Sequence, residues 1–337
     1  MSAPPIGILS AGIYIPDSCI TAAEIAERSG VPEDVVVHKM GIVRKPVAGP
    51  DEHTNAMGLW AAQDALRRAG VDPREIDLVL CTTEEWKEYP LWTAGIKLAH
   101  DLGAHRAWAI DVQARCATTM AVLKMAKAMM LGDPELDTVL IAGGYRNGDF
   151  VDYTNQRARF LFGLAAGGGA ILLRKGHPKN LLLESEVVVD GSFSHDVIIP
   201  VGGTVEPITA EALAEGRNRL DCPDPEAMKR RLDAVSMDNF LFVVDRALER
   251  SGLGRADIDY LNMLHLKPSA HRFILDQLGL SEEQTTYLNG YGHIGQQDQP
   301  LSIVLGLESG RLRDGMVMVM VAAGVGYAWS ASVVRWG

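Results

Sequence analysis

"AWAIDVQARCATTMAVLKMAKAMMLG", residues 107–132, carries an apolar segment, a short turn and a helical pattern in immediate succession. The spacing predicts a strand over residues 107–112 and a helix that begins just after Cys116. A cysteine there has its sulfur beside unpaired backbone N–H groups and the positive end of the helix dipole, and both stabilise thiolate over thiol. Cys116 is therefore a candidate nucleophile, although a lone cysteine is often only a small buried side chain.

On both sides of this stretch, apolar segments rich in strand-forming residues alternate with helical patterns along the chain. The predicted strands are IDLVLCTT, AWAIDV, DTVLIAGG, AAGGGAILL, YLNMLHL, MVMVMVAAG and YAWSASVVRW, after a first buried strand near the N-terminus. The predicted helices, each ending on glycine, are NAMGLWAAQDALRRAG, TTMAVLKMAKAMMLG and SMDNFLFVVDRALERSG. Continuous apolar strands that alternate with helices indicate an α/β protein whose sheets are buried on both faces.

A weak internal repeat predicts two similar halves. "DTVLIAGG" with "FLFGLAAGGGAILLRKG" resembles "GMVMVMVAAGVGYAWSASVVRWG", since each has a strand, a Gly/Ala-rich turn and a second strand. We place the halves at residues 1–175 and 176–337, divided within the charged turn RKGHPKN. Residues 202–226, which are polar and rich in Gly and Pro, are predicted to form an insertion or a mobile lid.

The composition of the chain limits which partners it can bind and in which cellular compartment it is expected. The 337 residues carry a net charge of −11, which disfavours a polyanionic partner such as nucleic acid. The four cysteines lie far apart with no CxxC pair, which argues against a disulfide framework or a structural metal site and indicates a reducing cytoplasm. No apolar run has the length of a membrane span, and the N-terminal stretch lacks the features of a signal peptide.

Several segments together resemble the 3-oxoacyl-ACP synthase III family of the thiolase superfamily. "DVQARCATTM" is similar to the family's active-site segment, "HKMGIVRKPVA" to its early Arg-Thr-Gly-Ile segment, and "FLFGLAAGGGAILL" to its Phe-Gly-Asp-Gly-Ala-Gly strand pair. "SMDNFLFVVDRALERSGL" resembles the helix that precedes the catalytic histidine strand, and the C-terminal "DGMVMVMVAAGVGYAWSASVVRWG" resembles the closing Gly-rich turn. Their shared order and spacing extend the resemblance over nearly the whole chain.

The resemblance implies a five-layer αβαβα fold, usually dimeric, in which Cys116 accepts an acyl group from a thioester. Acyl-CoA or acyl carrier protein would be the partner, and no other cofactor is implied. The backbone N–H groups of Cys116 and of the 323–326 turn, with Val325 as the nearest match, would form the oxyanion hole.

Two histidines are candidate partners of the cysteine. His265 matches the family histidine, but the sequence that follows is HLKP where relatives have His-Gln-Ala-Asn. In "YLNGYGHIGQQDQPLS" (residues 287–302), His293 stands where relatives carry asparagine. The flanking glycines suggest a sharply bent backbone that presents His293 to the site of Cys116 and His265.

Two reaction mechanisms are compatible with a pair of histidines at this site. His293 could also have a purely structural role. Two neutral imidazoles with Nε2–H donors would hold the enolate from a decarboxylated malonyl group. Alternatively, one neutral imidazole would act as the base on an unactivated acyl-CoA. In the structural interpretation, His293 is a turn residue bonded to Gln296, Gln297 or Asp298.

Further polar residues come from weaker resemblances. Glu84 and Glu85 precede Cys116 by 32 and 31 residues, similar to the general acid/base glutamate of 3-hydroxy-3-methylglutaryl-CoA synthases; an exposed loop is the alternative. Basic residues at positions where relatives bind CoA or the carrier protein are Lys39, Arg44, Lys45, Arg157, Arg159 and Arg272.

The leading hypothesis is an acyltransferase of the ketosynthase III type. It would load an acyl group on Cys116 and form a 3-oxoacyl product by Claisen condensation, with decarboxylation of a malonyl acceptor as the favoured version. The alternatives are acyl transfer to oxygen or nitrogen, thiolytic cleavage, or condensation as in 3-hydroxy-3-methylglutaryl-CoA synthases. A non-enzymatic alternative is an inactive subunit that supports a catalytic homologue.

Overall fold

The computed structural model describes residues 3–337. Within this range the strands are β1 (Ile6–Tyr14), β2 (Cys19–Thr21), β3 (Arg44–Pro46), β4 (Leu78–Cys81), β5 (Trp108–Asp111), β6 (Thr138–Tyr145), β7 (Gly167–Lys175), β8 (Leu181–Val189), β9 (Tyr260–Met263), β10 (Val317–Gly324) and β11 (Ala328–Arg335). The α-helices are α1 (Ala22–Ser29), α2 (Glu33–Val35), α3 (Thr54–Ala69), α4 (Ala94–Leu102), α5 (Thr118–Gly132), α6 (Ala210–Ala214), α7 (Pro225–Arg250), α8 (Pro268–Leu278) and α9 (Asp298–Glu308).

Nine strands follow the order β5-β4-β6-β7-β1-β8-β11-β10-β9. Among the first five strands, β7 pairs antiparallel with both β1 and β6, and β6 runs parallel to β4. The last four repeat this scheme, because β8 pairs antiparallel with β11, β11 with β10, and β10 runs parallel to β9. The two groups meet at the single pair Gly7–Leu181.

Helices cover the two strand groups in layers. α3 packs on β1, β6 and β7, while α7 packs on β8 and β11 at the opposite side of the molecule. Between the groups lie α5, against β8 and β11, and α9, against β1 and β7. The order helix, sheet, helix, sheet, helix makes five layers. As a result, the N-terminal ends of α5 and α9, next to Cys116 and to the loop of His293, lie together in the middle of the molecule.

The α/β class is confirmed, and all eight predicted strands are present. α3 ends on the left-handed Gly70 as predicted, but α5 ends at Gly132 with the extended Asp133 as its cap, so the predicted glycine cap of α5 is wrong. Strand β8 and helix α9 were not predicted. The boundary between residues 175 and 176 stays a prediction; it falls between β7 and β8.

Residues 202–226 hold the short α6 and the first two residues of α7, and their lid role stays a prediction. Across residues 3–337, no helix combines the length and apolar character needed to cross a membrane.

Candidate active site

Cys116 lies in a tight turn between β5 and α5. Residues Arg115–Ala117 form one turn of 3-10 helix, and Arg115 has a left-handed φ of 52°. The Thr118 hydroxyl stabilises this turn by accepting from the Ala114 N–H at 2.8 Å and donating to the Arg115 carbonyl. The backbone N–H of Cys116 donates to no carbonyl within residues 3–337. This N–H is therefore available to an oxyanion at the start of the helix.

His293 reaches Cys116 from the other half of the chain. Its Nε2 lies 3.0 Å from the Cys116 Sγ, and its Nδ1 lies 2.6 Å from the Asp298 Oδ2. The second oxygen of Asp298, which begins α9, accepts the Ile294 N–H at 2.8 Å. The predicted role of the flanking glycines agrees with this geometry. A Cβ on left-handed Gly292 would lie 2.5 Å from the Gly163 carbonyl oxygen, and one on left-handed Gly295 would enter the Tyr145 ring.

Electrostatics keep His293 protonated. Burial by itself lowers the pKa of His293, but the charges of the Cys116 sulfur and of Asp298, with their hydrogen bonds, raise it well above the usual 6.5. The imidazolium therefore donates Nε2–H to the sulfur and Nδ1–H to Asp298. Cysteine, histidine and carboxylate in this order are the arrangement of an activated nucleophile.

Cys116→Ala is expected to lower the pKa of His293. A charged sulfur beside the ring would oppose proton loss from the imidazolium. Removing the sulfur should therefore let the ring lose its proton at lower pH, although Asp298 still raises the pKa of His293. Ring ¹⁵N chemical shifts of His293, followed over pH in both proteins, measure this change. An unchanged or higher pKa in the variant would show that the sulfur carries no charge beside the ring.

His265 lies two residues after β9, beside the same carboxylate. Its backbone N–H donates to the Asp298 Oδ2 at 2.8 Å, and its ring Nε2 lies 2.9 Å from the Gly41 carbonyl oxygen. Burial lowers the pKa of His265, and the carbonyl and Asp298 offset this only in part, so the ring is neutral. Because a carbonyl oxygen only accepts, Nε2 carries the proton. Within residues 3–337, no hydrogen bond joins His265 to Cys116.

The turn after β10 packs against the nucleophile. A Cβ on Gly324 would lie 2.8 Å from the Cys116 backbone nitrogen and 2.6 Å from the Ala114 carbonyl oxygen, so only glycine permits this approach. Val325 follows directly. Its proposed role as the second oxyanion donor stays a prediction.

The two glutamates after β4 occupy different environments. Glu84 is 3% exposed; its Oε2 accepts from Asn147 at 2.7 Å and from Arg115 at 3.3 Å, while its Oε1 is buried and has no partner within residues 3–337. Burial raises the pKa of Glu84, and the Arg115 charge and Asn147 only partly offset it. Glu85 is exposed and pairs with Arg115 at 2.6 Å. The solvated alternative thus describes Glu85, and the acid/base role of Glu84 stays a prediction.

Sequence reasoning missed two residues of the site, Tyr145 and Asn147. Tyr145 is buried, its ring packs on Gly295, and its centroid lies 6.4 Å from that of His293. Burial and the nearby charges of Cys116 and Glu84 raise the pKa of Tyr145. Both residues come at or just after the end of β6, where the apolar pattern gives no signal of a polar site.

The predicted thioester-binding cations differ in exposure. Lys45 is 1% exposed; its Nζ donates to the Leu164 carbonyl and lies 5.3 Å from the centre of the Tyr153 ring. Burial lowers the pKa of Lys45 to about 7, and its assignment to CoA binding stays a prediction. Arg157 is exposed and pairs with Asp221 at 2.8 Å. The remaining predicted cations, all exposed, are Lys39, Arg44, Arg159 and Arg272; for these and Arg157, thioester binding stays a prediction.

Known proteins resemble this chain over its whole length. The family model for 3-oxoacyl-[acyl-carrier-protein (ACP)] synthase III matches residues 110–191, and the model for its C-terminal region matches residues 248–336. The beta-ketoacyl-[acyl-carrier-protein] synthase III of Symbiobacterium thermophilum is 28% identical over 345 aligned positions, which cover 100% of both chains. That of Sulfurovum sp. is 27% identical and covers 96% of this chain and 94% of its own.

A solved structure shares the fold. The beta-ketoacyl-[acyl-carrier-protein] synthase III of Thermus thermophilus superposes with a TM-score of 0.85 at 24% identity, covering 98% of this chain and 99% of that one. The five layers described above are therefore those of the thiolase-like fold, as predicted. The first matched region contains Cys116, and the second contains His265 and His293. The chain belongs to the 3-oxoacyl-ACP synthase III family of the thiolase superfamily.

Proposed function

We propose that this protein is a ketosynthase III-type enzyme that carries an acyl group on Cys116 and transfers it to a second substrate. The observation that supports this most directly is the chain of contacts from the Cys116 Sγ through His293 to Asp298, at 3.0 and 2.6 Å. The names of the full-length relatives denote the same class of reaction.

In the first step, the Cys116 thiolate attacks the carbonyl carbon of an acyl thioester. The new C–S bond forms, the bond to the leaving thiol breaks, and the leaving thiolate takes the Nε2 proton of His293. The oxyanion that develops is stabilised by the N–H of Cys116 and, as proposed above, that of Val325. The enzyme is left acylated, with His293 neutral.

In the second step, the neutral His293 is a base. Its Nδ1–H donates to Asp298, so the lone pair of Nε2 faces the acyl sulfur. It takes a proton from the α carbon of a second acyl thioester, and the carbanion attacks the acyl carbonyl. The bond to Cys116 breaks, a 3-oxoacyl thioester leaves, and the thiolate–imidazolium pair is restored. The sequence left open decarboxylation of a malonyl group and proton removal by a neutral histidine. The position of the Nε2 lone pair of His293 favours proton removal.

A second candidate is transfer of the acyl group to a hydroxyl or amine. The Nε2–H of His265 is bonded to the Gly41 carbonyl, so in this arrangement an enolate oxygen lacks that donor. A protic nucleophile needs only the base, because His293 takes its proton as it attacks. This candidate uses the same acyl-Cys116.

The partners proposed are an acyl-CoA or acyl carrier protein thioester and a second copy of the chain. Strand β5 is one of the two edges of the sheet, and Trp108 at its start is 47% exposed, which suits pairing with another chain. Glu84, whose buried Oε1 has no partner within residues 3–337, stays a proposed acid/base group.

Intact-mass spectrometry with a panel of acyl-CoAs, followed by product analysis, tests the proposal. We expect a mass increase equal to the acyl group, then a 3-oxoacyl thioester when a second acyl-CoA is present. Carbon dioxide release that depends on malonyl-CoA would instead support the decarboxylative version, and an ester or amide product the second candidate. The absence of an adduct with every donor would favour a non-catalytic subunit and contradict the proposal.

A further inference from the structure

A cavity of about 480 Å³ is lined in part by Tyr287, whose ring stacks on His265. It is bounded by the first two turns of α8, by the segment from Glu282 to Tyr291, and by the end of α9 with Arg311. Its volume falls within the range of small-molecule sites. None of Cys116, His265 and His293 lines it.

His271 is the unusual residue of this cavity. It is 4% exposed, and neither ring nitrogen has a hydrogen-bond partner within residues 3–337. Burial lowers the pKa of His271 to about 4, and the nearby positive charge of Arg272 acts in the same direction. At neutral pH the ring is therefore an uncharged donor and acceptor whose hydrogen bonds are unmade, which costs free energy unless a bound group makes them.

The walls of the cavity carry excess positive charge. Arg272, next to His271, is exposed, and no salt bridge or side-chain hydrogen bond involves it within residues 3–337. Arg311 directs one guanidinium nitrogen, Nη1, at the Glu282 and Thr285 carbonyls, and its other nitrogens have no partner in the same range. Glu282 is the one acid of the lining. Two guanidinium groups against one carboxylate suit an anion, although the whole chain is acidic.

Aromatic rings give the cavity a flat wall. Tyr287 lies edge-on to His271, with ring centroids 4.7 Å apart, and Tyr291 also lines the cavity. The Tyr287 hydroxyl donates to the Leu266 carbonyl, which fixes the ring. The ring is also stacked on His265, with centroids 5.6 Å apart, so it contacts both histidines. A planar group would pack against these tyrosines.

From these features we infer that the cavity is a second binding site, for a small aromatic carboxylate held by Arg272, Arg311 and His271. The carboxylate would accept from the guanidinium groups and the ring would pack on Tyr287. Both nitrogens of His271 are closed to solvent, so a polar substituent would bond the imidazole after the imidazole turns toward the cavity. This inference does not depend on the proposed reaction at Cys116.

Titration of the wild-type protein with 4-hydroxybenzoate tests the site, by calorimetry and by ring ¹⁵N shifts of His271. We expect saturable binding that moves the His271 resonances, and no binding of the uncharged 4-hydroxybenzamide. Arg272→Gln should weaken binding about tenfold, since it removes a charge-assisted hydrogen bond. Arg313→Gln, an exposed arginine outside the cavity, is the matched control and should bind as the wild type does.

His271→Leu separates ligand binding from a structural role. Because the His271 ring makes no hydrogen bond within residues 3–337, leucine should preserve or raise the melting temperature while weakening binding severalfold. Three results would overturn the site: unmoved His271 resonances, equal affinity in Arg272→Gln, or displacement of the probe by coenzyme A, which would place it in the thioester channel. Acyl loading of Cys116 is measured separately, so failure of either proposal leaves the other intact.

Discussion

Cys116→Ala is expected to abolish the acyl adduct and to lower turnover by at least about a thousandfold. No other group in the site can take over the attack: His293 is held between the sulfur and Asp298, and the His265 Nε2 is bonded to the Gly41 carbonyl. Intact-mass spectrometry after incubation with an acyl-CoA measures the adduct, and thiol release measures turnover. The alanine removes one atom from a buried turn, so the fold should be retained.

Cys19→Ala is the matched control for this variant. Cys19 is exposed, so it reports non-specific acylation of an accessible thiol. We expect the Cys19 variant to load like the wild type. A full adduct on the Cys116 variant, with loss of that adduct in the Cys19 variant, would place the nucleophile elsewhere and refute the mechanism.

Asp298→Asn is expected to reduce acyl loading by about a thousandfold or more, although the asparagine has nearly the same shape. The two Asp298 oxygens accept three hydrogen bonds, from the His293 ring and from the backbone N–H groups of His265 and Ile294. An amide cannot accept them all, because either orientation turns its NH₂ toward a backbone N–H. His293 also loses the charge that raises its pKa and the acceptor that fixes its tautomer.

The Asp298 variant should also be less stable, by about 1–3 kcal/mol, because one buried N–H is left unpaired. Denaturant unfolding measures this loss, and rapid-quench loading measures the rate at a temperature where the variant is folded. Asp276→Asn, at an exposed site on α8, is the control and should change neither the free energy of unfolding nor the rate of acyl loading. Loading at the wild-type rate in a folded Asp298 variant would show that the carboxylate does not orient the base.

Strands and helices with a simple apolar pattern were predictable from the sequence. Those whose polar side chains find hydrogen-bond or ion-pair partners far away in the chain were not. β8 escaped prediction because Glu184 and Glu186 interrupt its apolar run. In the fold these acids pair with Lys127 and Lys124 of α5 and with Arg250 of α7. Helix α7 begins at Pro225, capped by Asp224, well before its apolar periodicity becomes visible.

Helix α9 was hidden for a different reason. Its first turn, DQP, contains a proline and two polar residues, all buried. Proline is tolerated there because the first turn of a helix needs no N–H donor. Gln299 of this turn is buried without side-chain partners within residues 3–337, although its carbonyl accepts from Asn262. The burial of these polar residues depends on the strands and helices that pack against α9. No pattern in the local sequence indicates it.

Local sequence alone determined the alternation of strands and helices, the cysteine at the start of α5 and the bent, glycine-flanked loop of His293. These features follow from short-range periodicity and backbone sterics, which neighbouring residues set. The tertiary structure alone decided that His293 meets a cysteine 177 positions away and that the His265 ring turns to Gly41. It also decided that Glu84 is buried while Glu85 is solvated, and that Lys45 is enclosed. Each outcome depends on which atoms the packed layers bring together and which they shield from water, and chain neighbours do not specify either.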